Sequence, residues 1–117
     1  MSFVFDADGE TVWSPALRVG ELFVRMHTDI CSVLGLATGL TAIAADMYEI
    51  DSDLFERTTL AVYDEYFSSH NPALRSMLGA TLGPAVRILE RCRRPVTPRS
   101  DEERAFLSRA ADLGMPR

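Results

Sequence analysis

One stretch limits what this chain can fold into: SPALRVGELFVRMHTDICSVL, from Ser14 to Leu34. Val19, Phe23, Met26, Ile30 and Val33 recur at alternating spacings of four and three, the stripe of a helix that faces a core. Leu22, Val24, Cys31 and Leu34 widen it, while Arg18, Glu21, Arg25, Thr28, Asp29 and Ser32 fall opposite. Ser14 is a good N-cap, and Pro15 suits the first helical position, where a missing N–H costs nothing. Glu21 and Arg25 stand four apart in the favourable order. Gly20 is a weak helix former, expected where another part of the chain passes close. Gly35 is the expected stop.

The other segments look cut to cover this helix. Phe3 to Phe5 and Thr11 to Trp13 are β-prone runs around Asp6-Ala7-Asp8-Gly9, a hairpin signal over residues 1–13. A lone hairpin is marginal in water, so Phe3, Phe5, Val12 and Trp13 must pack on helices or on a partner chain. LTAIAADMY reads as a short helix followed by an extended YEI. Helices follow over 52–68, 72–92 and 101–113, with acids, Asn71-Pro72 and Ser100 at their starts. Pro84 predicts a kink in the third of these four helices, and Gly79 and Gly83 would let another helix approach. The expected fold is mainly α: a single domain, 1–117, built as a small bundle of about four helices with an N-terminal β-hairpin. The apolar surface of the first helix and hairpin leads to the expectation of a homodimer.

Composition narrows the function classes. A net charge of −5 and a pI near 4.9 disfavour nucleic acid and anionic membrane as partners. No apolar run reaches membrane-spanning length, and MSFVFDADGE lacks the features of a signal peptide. A cytoplasmic location is therefore expected, with Cys31 and Cys92 as reduced thiols. All 12 basic residues are Arg, which excludes lysine-dependent chemistry and points to a GC-rich source.

Trp13-Ser14-Pro15, Leu22-Phe23-Val24-Arg25, Glu49-Ile50-Asp51, Pro72-Ala73-Leu74-Arg75-Ser76 and Leu89-Glu90-Arg91 resemble a family of small actinobacterial proteins of unknown function, of the Streptomyces type. The resemblance covers most of the chain to about Arg91. It implies no activity, cofactor or catalytic residue.

Three constellations carry candidate chemistry. His27 and Cys31, four apart on one helix, suit a metal or a thiol beside a base; the plainer reading is a buried thiol beside a hydrogen-bonded histidine. Asp46, Glu49, Asp51 and Asp53 form the densest acidic patch, fit for Mg²⁺ or Ca²⁺ or simply for capping. Trp13, Phe23, Cys31, Tyr48 and Tyr66 are candidates to line a ligand pocket, with His27 as its acid–base group. Arg91, Arg93, Arg94 and Arg99 form the basic run, read as a solvated linker. No phosphate loop, dinucleotide fingerprint or Ser/His/Asp order is visible, so no cofactor is expected.

The leading expectation is thus a non-catalytic protein-interaction, accessory or regulatory module, acidic and dimeric. The alternatives are a small enzyme or ligand-binding protein of specialised metabolism working through His27, and a metal-binding protein using the acids at 46–53.

Overall fold

Asp8 and Gly9 both take positive φ, 51° and 81°, the backbone that a two-residue hairpin turn requires. They join β1 (Val4–Ala7) to β2 (Glu10–Trp13) in a computed structural model that describes residues 2–117. The remaining elements are α1 (Leu17–Leu34), β3 (Leu40–Ala44), β4 (Met47–Ile50), α2 (Ser52–Ser68), α3 (Pro72–Arg91) and α4 (Asp101–Ala111).

The hairpin is not alone. The strands form one four-stranded sheet in the order β2-β1-β4-β3. β4 runs parallel to β1, with Phe5 beside Tyr48 and Ala7 beside Ile50, and antiparallel to β3. The expected plain helical bundle is therefore corrected to a helix-rich α+β fold with a mixed sheet. The short helix expected after Leu40 is strand β3 instead. Four of its five residues are exposed, so it lacks the inside–outside alternation that identifies a strand.

Both sheet edges are blunted. Arg91 donates to the Val12 carbonyl on β2, and the Ser14 N–H to the Pro116 carbonyl. On β3 the Thr38 hydroxyl takes both backbone groups of Leu40, and a bulge leaves Ile43 unpaired.

The start of α1 also differs from expectation. Ser14 and Pro15 stay outside the helix, because the Pro15 carbonyl accepts from the Phe3 N–H; Ala16 is the N-cap, without a side-chain bond. The face that α1 buries is Gly20, Phe23, Val24, His27 and Cys31. Val19, Leu22 and Val33 are 51%, 58% and 83% exposed, so the expected inward stripe is turned to one side.

Two apolar clusters result. Phe3, Phe5, Ala7, Trp13, Phe23, Ile50 and Phe55 join the sheet to the helices. Val62, Tyr63, Leu78, Leu82, Phe106 and Ala110 join α2, α3 and α4. α3 belongs to both, contributing Ala85, Ile88 and Leu89 to the first. It runs unbroken past Pro84.

Candidate functional site

The buried face of α1 puts a titratable pair inside the protein. His27 Nε2 lies 2.9 Å from the Thr38 carbonyl, which can only accept, so Nε2 carries the proton and donates. Cys31 Sγ is 3.7 Å from the same nitrogen and is a second, weak acceptor. The imidazole stacks on Phe23 at 5.6 Å and tilts against Phe55 at 5.4 Å. Burial pulls the His27 pKa below its ordinary value, against the opposing bond to Thr38. Burial likewise pushes the Cys31 thiol up. The geometry keeps a neutral thiol beside a neutral imidazole, the opposite of an activated thiolate.

The five residues expected to line one pocket are divided among different places. Trp13, Phe23 and Cys31 are buried in the interior. Tyr48 lines a groove between α1 and the sheet, with Phe3, Leu17 and Val24. Tyr66 lines a separate groove between α3 and α4.

The acids divide in the same way. Glu49, Asp51 and Asp53 border a polar cleft with Asp8, which the hairpin turn brings in, and with Arg94. Asp46 lies in the groove beside Tyr48 instead. Two of these acids have structural work. Asp51 accepts from the Leu54 N–H as the N-cap of α2, and Asp53 pairs with Arg94 at 2.6 Å. Among the described residues no group of three His, Cys, Asp or Glu side chains could hold a metal ion.

The arginine run is no solvated linker. Arg91 donates to the Val12 and Met115 carbonyls, Arg94 pairs with Asp53 and Glu56, and Arg99 bridges Asp64 and Glu103. These bonds tie β2, α2, α4 and the C-terminal tail together through the end of α3 and the segment after it. Glu103 is buried on α4 and also accepts from the Tyr63 hydroxyl at 2.9 Å. Burial would raise its pKa, but the bonds from Tyr63 and Arg99 outweigh it and hold the carboxyl below its usual range. Sequence reasoning missed these roles, since no local pattern says which distant carbonyl or carboxylate an arginine meets.

The groove between α3 and α4 is an apolar concavity bordered by polar groups. It is an open groove with a volume of about 470 Å³, within the size range of small-molecule sites. Gly79 and Gly83 form its floor. A Cβ at Gly79 would stand 3.1 Å from Tyr66, and one at Gly83 would stand 3.3 Å from Leu113. The two glycines thus seat side chains of this chain, rather than a second helix as their spacing suggested.

Fold and site together define a helix-rich α+β domain in which the buried His27, Tyr63 and Glu103 bond to other groups of the same chain. The chain belongs to a family of unknown function, DUF6086, whose model matches residues 1–117. No curated protein and no solved structure matches it. Among the described residues no helix is long and apolar enough to cross a membrane.

Proposed function

We propose that the protein is a non-catalytic interaction module, an accessory or regulatory part that works as a homodimer. One observation carries the reading: the exposed apolar ridge of α1. Val19, Leu22, Met26, Ile30 and Val33 follow one another at spacings of three, four, four and three. Val19, Leu22 and Val33 are largely open to solvent; Met26 and Ile30 are half-buried. The spacing is symmetric about Met26. Two copies of α1 laid antiparallel across a twofold axis at Met26 would set Val19 opposite Val33 and Leu22 opposite Ile30. An isologous interface needs such self-complementarity, and a second copy is the occupant that the pattern fits.

The acidic balance supports a basic protein as the module's further partner, since opposite charge steers encounter. The all-arginine basic set supports an actinobacterial source, and the absence of a long apolar helix among the described residues fits a cytoplasmic location.

Light scattering on the purified protein tests the dimer. The expected mass is twice 13.0 kDa, and Leu22→Asp, at an exposed position, is expected to return it to 13.0 kDa. A wild-type species at 13.0 kDa would end this reading. Co-purification from the native host at low salt tests the module; recovery of the homodimer alone counts against a further partner.

A further inference from the structure

The groove between α3 and α4 stands apart from the α1 ridge and carries its own chemistry. Its walls are apolar: Tyr66 from α2, Phe106 from α4, and Leu113, which is 41% exposed. Its rim is cationic, in a chain whose net charge is −5. Arg75 lies over the Tyr66 ring, 4.7 Å from its centroid, and Arg109 over the Phe106 ring at 6.0 Å.

The two guanidiniums differ in one respect. Arg75 is already paired with the Glu102 carboxylate. Arg109 is exposed, and among the described residues no carboxylate is within ion-pair reach of it. The protein thus displays one rim arginine holding a carboxylate and a second with its planar fork open. Such a fork matches a carboxylate through two parallel hydrogen bonds.

We infer that this groove binds a small monoanionic amphiphile: one carboxylate on Arg109, with an unbranched apolar body lying against Tyr66, Phe106 and Leu113. Charge selects the anion, because the lining of the groove holds two arginines and no acid, and only Arg75 of the two is already paired. Shape selects a slender body. Tyr66 and Leu113 already approach the glycine floor closely, so the backbone of a partner helix has no seat there. A narrow alkyl chain needs only the open part of the groove outside these two side chains.

Octanoate is the probe, titrated calorimetrically at neutral pH, with octan-1-ol as its uncharged counterpart. The wild type binds octanoate more tightly than octanol. Arg109→Gln, at an exposed position, weakens octanoate about tenfold and leaves octanol unchanged. Ala80→Trp, exposed on the groove side of α3, fills the space and removes both. Circular dichroism confirms that each variant is folded, and Ser76→Trp, also exposed on the groove, replaces Ala80→Trp if that variant is not. Absence of octanoate binding to the wild type overturns the inference. So does a loss of less than about threefold in Arg109→Gln, or unchanged binding in the filled groove. None of these outcomes depends on the oligomeric state.

Discussion

Phe3 lies against Gly20. A Cβ built on Gly20 would stand 2.2 Å from Phe3 Cγ, well inside any tolerable contact. This one approach docks the N-terminal strand region onto α1, and it decides which arc of the helix turns inward. On helix propensity alone, Gly20→Ala would gain up to about 1 kcal/mol. Here the methyl must displace a buried ring, and overpacking costs roughly 1–3 kcal/mol. Gly20→Ala is expected to lower the urea midpoint, and to cost less in a Phe3→Ala background, where the clash is gone, than in the wild type. A stabilised Gly20→Ala would refute the contact.

Tyr63 and Glu103 give a prediction of order. Tyr63→Phe removes one hydrogen bond and leaves Glu103 its bonds from Arg99, for a loss of about 1 kcal/mol. Glu103→Ala leaves the Tyr63 hydroxyl buried without an acceptor and releases Arg99, for a loss of roughly 2–3 kcal/mol. Chemical denaturation of both variants checks the ranking. The Glu103 share of stability is present above its ordinary pKa of 4.5 and disappears only as pH falls through its lower folded value.

His27 predicts a pH dependence in a different window. Its folded pKa lies below the ordinary 6.5, so the unfolded chain binds the proton first. Stability therefore rises with pH up to about 6.5 and falls as pH drops from there towards the folded value. His27→Gln is expected to be less stable at pH 8, because the Thr38 contact is disturbed, but to show a flatter profile as pH falls below 6.5. Thermal melts of both proteins across that range measure the difference. Identical slopes would mean that His27 is hydrated in the folded state.

Arg91 holds two carbonyls that are distant in sequence, Val12 at 2.8 Å and Met115 at 2.5 Å. Bonds from a charged donor are worth about 1.5–3 kcal/mol each, less where solvent reaches them. Arg91→Ala is expected to cost roughly 2 kcal/mol and to speed amide exchange at the β2 edge and the C-terminal tail. Arg91→Lys recovers little, because a single ammonium lacks the fork that spans both carbonyls. Hydrogen exchange read by mass spectrometry checks both variants.

What was legible in the sequence follows from range. The turn at Asp8-Gly9 and the caps Asn71 and Ser100 are local devices, each satisfied within a few residues, and they can be read directly. The phase of α1 is not local. Its residues offer two adjacent apolar arcs, and only Phe3 on Gly20 and Phe23 against Phe5 and Trp13 select between them. β3 hid for a related reason: Leu40 to Ala44 lies at an edge with little burial, so its pairing with β4 leaves no periodic trace. The candidate site divided because residues close in the sequence, such as Asp46 and Glu49, point to different grooves once they lie in a turn and a strand.

The Ser14–Pro116 bond and the Arg91–Met115 bond set an order for assembly on the ribosome. β2, which ends in Trp13, precedes all four helices in the chain, yet part of what shields its outer edge, Met115 and Pro116, is translated only after α4. Until Met115 and Pro116 have cleared the exit tunnel, the nascent hairpin keeps a sticky margin, and that interval is when a chaperone would have most to do.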